Sequence, residues 1–393
     1  MNRVARLFTL ALVLLVSTGV GMAATPAEEP PVVRALLDAT GLNAGARPTY
    51  GSLDVAADGT ITLSNVKTTL DTDSDTDIVM TYEVAELVLS DVKEIAPGVF
   101  EVGAAEWVNV TVTSGEEFVA AILLITAKSL YIHQPGKEST PLERIRASNL
   151  LAREFAIPEA RMLIGAESIV FEDMSGTWEG DPMTGAGTSK FAARRIHVPG
   201  TVFEGADNPL AMAGYTELEL AFTGTSTTTY ADDALGFDIE SRIDARDVGS
   251  LILELGADGI PLALFGALET TEPDPDVLLP FAEGISLKRA RIRFEDASLT
   301  GRVLSLIAEA EDTDVATLVA DGIKELDAML METLDPERAR QVSAALTAYL
   351  NDPKSITFAL APAQPVNFSQ IMAGLEDPKV LFELLQPSVT AND

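Results

Sequence analysis

Apolar and polar residues alternate in short runs from Leu53 to Phe294, and this period of two constrains the fold more than any other feature of the chain. Successive side chains of a strand point to opposite faces of a sheet, so alternation of this kind predicts strands with one buried face. The first runs, Ser52-Leu53-Asp54-Val55 and Thr60 to Val66, flank Asp58-Gly59, a two-residue hairpin signal. Further strand-like runs lie at 78–82, 85–92, 99–102, 108–113, 164–171, 190–198, 216–222, 237–245, 250–255 and 285–294. The stretch 118–132 reads both ways, its length and Ala120-Ala121 favouring helix and its Ile, Val and Thr content favouring strand.

One phrase recurs along these strands. Leu63-Ser64-Asn65-Val66, Leu89-Ser90-Asp91-Val92, Phe171-Glu172-Asp173-Met174 and Phe294-Glu295-Asp296-Ala297 share an apolar residue, a polar one, Asn or Asp, and an apolar one. The phrase reads as a strand ending in a polar turn residue that bonds its own backbone. The spacing is irregular, which argues against a solenoid. Two architectures remain: an ordinary meander, or successive strands of one long curved sheet.

Helical signals come at fixed places. Pro30-Pro31 opens a short helix at 32–40 that Gly41 can end, and Thr140-Pro141-Leu142-Glu143 is a capping box predicting a helix over 141–155. From Leu299 helices dominate, at 299–311, 315–334 and 336–350, followed by a strand at 355–360 and a short helix at 380–385. Asp335-Pro336 and Asp377-Pro378 both have the form of a helix start. The expected class is α+β: a long, curved, mainly antiparallel β-sheet covered by helices from the C-terminal third. The expected organisation is a signal peptide at 1–23, a β-rich region at 24–297, and a helical region at 298–393 with one or two added strands.

The N-terminal segment sets the expected compartment. Arg3 and Arg6 precede an apolar stretch, and Leu7 to Ala24 carries no charge; Gly21-Met22-Ala23-Ala24 supplies small residues for cleavage. These are the parts of a secretory signal peptide, so export to a periplasm is expected, with cleavage after Ala23 or Ala24. The stretch is also just long enough to serve as an uncleaved anchor. After cleavage no later apolar stretch approaches the length of a spanning helix, and the chain is expected not to cross a membrane.

Composition narrows the chemistry. There are 60 Asp and Glu against 27 Lys and Arg, a formal charge of −33, with two His and no Cys. The charge opposes nucleic-acid binding, which needs clustered cations, and opposes docking on anionic lipid. The absence of Cys removes disulfides, thiol nucleophiles and thiolate metal sites. No Gly-x-Ser-x-Gly or phosphate-binding Gly-rich loop is present, so no enzymatic activity and no cofactor are expected.

Several groups of residues are candidates for a site. Asp71, Asp73, Asp75 and Asp77 alternate with small polar residues and could form a weak calcium site; but Thr76 and Tyr82 stand where a standard calcium loop needs Gly and Glu, so a solvated hairpin tip is the plainer reading. Arg289, Arg291 and Arg293 fall on one strand face, with Ala290, Ile292 and Phe294 on the other. They would hold an anionic headgroup, or pair across strands with acidic runs such as Glu217-Leu218-Glu219 and Asp238-Ile239-Glu240. Arg194 and Arg195 are weighed the same way, and His197 and His133 read as structural. Trp107 and Trp178 could stack on sugars or sit in a core. Helix 315–334 has Leu318, Val319, Ile323, Leu326, Met329 and Leu330 on one broad stripe, which must lie on the sheet or lid a groove for an acyl chain.

The N-terminal segment, the phrase Asp58 to Val66 and the strand 249–255 resemble uncharacterised exported proteins of proteobacteria and, more distantly, the AsmA/TamB-like family of envelope proteins. The resemblance covers strand phrasing from Leu53 to Phe294 and transfers no catalytic or binding residue. It implies elongated, curved sheets with an apolar inner face, associated with moving phospholipid between membranes. That family keeps an N-terminal membrane anchor, whereas this segment reads as cleavable, which favours a soluble carrier or scaffold. The leading expectation is a non-catalytic periplasmic envelope protein that binds a lipid or other hydrophobic ligand on a β-groove, with a lipid or an envelope protein as partner. The alternatives are a structural or interaction module without ligand, and a carboxylate-based hydrolase.

Overall fold

The computed structural model describes residues 29–393 apart from 45–46, 72–78, 115–117, 137–139, 165, 204–207, 232, 269–279 and 376–377. Among the described residues the class is α+β, a long antiparallel sheet of fifteen strands with helices mostly in the C-terminal part. The signal-peptide segment lies outside the described residues. No helix among the described residues is long and apolar enough to cross a membrane.

The chain divides into two compact units, 1–193 with 268–272 and 194–267 with 273–393. The first holds α1 (Pro31–Ala44), β1 (Ser52–Val55), β2 (Ile61–Asp71), β3 (Val79–Ala96), β4 (Val99–Ser114), β5 (Phe118–His133), α2 (Pro141–Ser148), β6 (Leu151–Ile164) and β7 (Glu167–Gly180). The division falls within β8 (Gly187–Pro199). The second holds α3 (Pro209–Met212), β9 (Glu217–Ala231), β10 (Ala234–Ala245), β11 (Gly249–Pro261), α4 (Ala263–Leu268, at its boundary) and β12 (Ser286–Asp296). There follow α5 (Leu299–Ala310), α6 (Val315–Thr333), α7 (Pro336–Asn351), β13 (Ser355–Leu360), β14 (Val366–Asn367), α8 (Phe368–Gly374), α9 (Pro378–Leu385) and β15 (Pro387–Ala391). Strands give way to helices after β12, and the helical region shares its compact unit with β9–β12.

In the first unit α1 supplies the cover. Val33, Ala35, Leu36 and Leu37 are almost wholly enclosed and pack with Leu63, Leu89, Val102, Leu130 and Ile132 of β2–β5. At roughly 2–5 kcal/mol for truncating one such leucine, this helix is a main anchor of the unit. An ion pair fixes its start: Arg47 bridges the buried Glu29 at 2.5 Å and Asp38 at 2.6 Å.

The strands of this unit depart from a simple period of two in a regular way. The β2–β3 ladder runs from Ser64–Glu86 to Val66–Val84, leaving Asn65 opposite Ala85 unpaired with no change of register. The same happens at Asp91 opposite Gly103, at Gly103 and Arg153 opposite Ser129, and at Pro158 opposite Asp173. Asn109, opposite Ala85 and Leu123, repeats it. In each of these couples one member is left-handed: Asn65, Asp91, Asn109, Ser129 or Asp173, with φ between 45° and 54°. Asn and Asp tolerate that conformation better than most residues. Each skipped rung adds one residue, so inward-facing positions are spaced by three there, as in Leu63 to Val66, Leu89 to Val92, Val102 to Ala105 and Ala127 to Leu130. The recurrent Asn/Asp phrase therefore marks an interruption inside a strand in three of its four occurrences. Only Asp296 ends its strand, where its carboxylate accepts from the Thr300 amide and starts α5.

The stretch 118–132, which reads both ways in sequence, is strand β5, as its Ile, Val and Thr content favours. The expected helix 141–155 keeps its capping box, but α2 ends at Ser148, Asn149 is extended, and Leu151 begins β6. The spacing of three from Ala152 to Phe155 mimics a helical turn, while β6 bonds β5 on one side and β7 on the other.

Candidate functional site

The sheet of the second unit has two chemically opposite faces. On one, Arg242, Arg291, Arg293 and Glu295 stand with Asp238, Asp244 and Glu254. Arg291 Nη1 pairs with Glu254 Oε1 at 2.6 Å, and Arg242 bridges Asp244 and Glu295. Arg293 pairs with Glu295 and, at 2.6 Å, with the side chain of Asp393; it also donates to Thr357 Oγ1. Arg289 reaches Asp238 at 3.2 Å across Gly256, where a Cβ would come within 2.5 Å of the Asp238 carboxylate. Lys288 completes the group, held by Asp238 and Asp258. Arg293 holds the Glu295 carboxyl below the usual carboxylate range. The structure thus brings Arg289, Arg291 and Arg293 together as a cross-strand ladder whose charges are met by carboxylates.

The other expected sites resolve as follows. Arg195 makes two hydrogen bonds to Glu219, and His197 Nδ1 lies 2.8 Å from the same carboxylate. Arg195, with His197 behind it, pulls the Glu219 carboxyl down to about 2. Arg194, its neighbour in β8, is exposed. Asp71 closes β2 opposite Val79; Asp73, Asp75 and Asp77 lie outside the described residues. Among the described residues no three His, Asp or Glu side chains are grouped as a metal site. Trp178 is buried, with the Arg153 guanidinium 4.9 Å from its ring and Tyr131 edge-on at 6.0 Å. Arg153 also donates to the Gly180 carbonyl, which clamps the end of β7 rather than offering a sugar platform. Trp107 packs on the core beneath α1. His133 Nε2 bonds the Pro182 carbonyl, and burial lowers its pKa.

On the second face three successive rows carry no charged side chain. Register places Phe222, Ile243, Leu251, Phe294 and Ile356 in one row. The next row holds Gly224, Ser241, Leu253, Ile292, Phe358 and Val389; the one after it holds Ser226, Ile239, Leu255, Ala290 and Leu360. Helix α7 lies along β13 and β15, and Ile356 is only 8% exposed. Two residues along the same strand, Phe358 is 45% exposed, and beside it Ile292 is 51%, Leu255 41% and Ile239 38%. The inward face of the first unit contrasts with this, because Leu63, Val102, Val112, Ile132 and Ile169 are almost wholly enclosed. The stripe on α6 is also only partly covered: Val319 is buried, whereas Met329 is exposed.

Sequence alternation located Ala290, Ile292 and Phe294 on a face away from the arginines. It missed that Ile239, Leu255 and Phe358 continue the face sideways, since strand neighbours distant in sequence are set by register. A family model described only as "Uncharacterized protein" matches residues 242–392, a span that contains β11 to β15 and the helices between them. A comparison with curated proteins returns no match.

Proposed function

We propose that this protein is a non-catalytic carrier of the cell envelope that holds a lipid or other hydrophobic ligand on the uncharged face of its second unit. One observation carries the reading: Ile239, Leu255, Ile292 and Phe358 form a contiguous apolar strip on four adjacent strands, each a third to a half exposed. Fully burying such a side chain is worth about 1.5–3 kcal/mol, so covering the exposed parts of four returns roughly 3–5 kcal/mol before the cost of immobilising a ligand. Contiguous exposed apolar surface on an otherwise charged protein marks a place where something binds. The arginines, on the opposite face and paired with carboxylates, are left out of the site. The N-terminal segment, with its signal-peptide organisation, supports export to the periplasm.

Native mass spectrometry and solvent extraction of the purified mature protein test this directly. Acyl lipid should co-purify with the wild type and be lost from Ile292→Asp, whose charge falls in the middle of the strip. Recovery of a lipid-free wild-type protein that also takes up none of a set of added lipids would overturn the proposal and favour an interaction module.

A further inference from the structure

We infer that the ligand is a single-chain lipid whose polar end is uncharged, such as a monoacylglycerol or a long-chain alcohol. This rests on the proposed lipid-binding reading and goes on to name the ligand class. The three rows that make up the strip hold Leu, Ile, Phe, Val, Ala, Gly, Ser and Pro, with no acidic or basic side chain; Asp296, one row beyond Phe294, is taken up by the Thr300 amide and hydroxyl. This occurs in a chain whose formal charge is −33, on a sheet whose opposite face is crowded with ions. A carboxylate or phosphate head placed here finds no cation to replace its lost water, while the surrounding protein repels it.

The polar groups that the face does offer are neutral and lie at one end of the strip. Ser226 pairs in register with Ile239, Thr228 with Phe237, and Ser241 with Gly224. The three hydroxyls therefore cluster on β9 and β10, beside the Ile239 end, and all three residues are partly exposed. Gly224 adds no side chain beside Ser241 and the Phe222 ring lies across it, so the hydroxyls border an aromatic edge against which the first carbons of a chain can rest. From there the apolar strip runs across β10, β11, β12 and β13, a width of about 14 Å at the usual strand spacing. This suits one extended acyl chain with its head on the hydroxyls. Hydroxyls serve as both donors and acceptors, which matches an alcohol or glycerol head and gives an anion no charge compensation.

The experiment is calorimetric titration of the full mature protein with three probes sharing one oleoyl chain: monoolein, oleate at pH 8, and oleoyl lysophosphatidylglycerol. Monoolein should bind at least tenfold more tightly than either anion. The double variant Ser226→Ala, Ser241→Ala, which leaves the core and the ion ladder untouched, should weaken monoolein three- to tenfold. Equal or tighter binding of oleate or the lysophospholipid would overturn this inference while leaving the lipid-carrier reading intact. Binding of none of the three would overturn that reading as well. A ligand-free dimer that Ile292→Asp converts to monomer would overturn both and assign the face to a second copy of the chain.

Discussion

Gly103 and Asp91 provide a quantitative test of the interrupted strands. Asp91 is left-handed, with φ +54°, and faces Gly103 at a rung where the β3–β4 ladder skips one couple. A Cβ on Gly103 would stand 2.6 Å from the Asp91 Cβ and 3.4 Å from its Cγ. Carbon atoms in good contact lie about 3.5–4.0 Å apart, so Gly103→Ala demands a shift of about 1 Å between two paired strands. Overpacking of this kind costs about 1–3 kcal/mol. Asp91→Gly removes the atom that would clash. It also relieves about 1–2 kcal/mol of left-handed strain, offset by about 0.5–1 kcal/mol of added chain entropy, so alone it should stabilise by up to about 1.5 kcal/mol. In the double variant the alanine penalty should largely vanish, giving a coupling of about 1–2 kcal/mol. Urea unfolding followed by tryptophan fluorescence is well suited, because the chain has two tryptophans, Trp107 and Trp178, and both lie in the first unit. A Gly103→Ala cost below about 0.5 kcal/mol, or one unchanged by Asp91→Gly, would refute the steric account of the skipped rungs.

Three other outcomes are expected. Acidification should destabilise the fold in two windows. Burial lowers the His133 pKa below its ordinary 6.5, so its contribution is complete above that value and lost as pH falls below it. Glu219, held at about 2, contributes fully above its ordinary 4.5 and loses that contribution as pH falls from there toward 2. His133→Gln should flatten the first window in urea midpoints, and an unchanged pH profile would remove His133 from the account. Deleting Asn392 and Asp393 should cost about 2–4 kcal/mol locally. Asn392 accepts from the Lys354 and Ser355 amides and donates to Ala348 and Asp352, while Asp393 pairs with Arg293. Amide exchange in β13 should accelerate on that deletion, and unaltered protection would show that the tail holds nothing. Thermal unfolding should be insensitive to millimolar calcium if Asp71 to Asp77 form a solvated tip; a raised midpoint would instead reveal a site there.

Local signals in the chain were read well, and non-local ones were not. The Thr140 capping box, the Asp335 cap and the strand Ser355–Leu360 appear where the residues place them, because each is decided within a few residues. The class followed from alternation that survives each interruption. The path of β5 and the early end of α2 did not, because Ala120-Ala121 and the length of 118–132 compete with its β-branched content, and the Thr140 capping box fixes where α2 starts but not where it stops. For the site, Arg289, Arg291 and Arg293 were visible as a face and Asp238 as a cross-strand partner, but Glu254 and Asp393, which meet Arg291 and Arg293, were not.

The skipped rungs also behave as a line defect does in a crystal. Such a line cannot stop inside an ordered lattice without leaving a mismatch, and here it passes from strand to strand through Asn65, Ala85, Asn109 and Leu123. Deleting Asn65 alone would turn Val66 and the rest of β2 outward while β3 kept its phase. Length changes along this line are therefore tolerable only in concert, made at the same rung in every strand the line crosses.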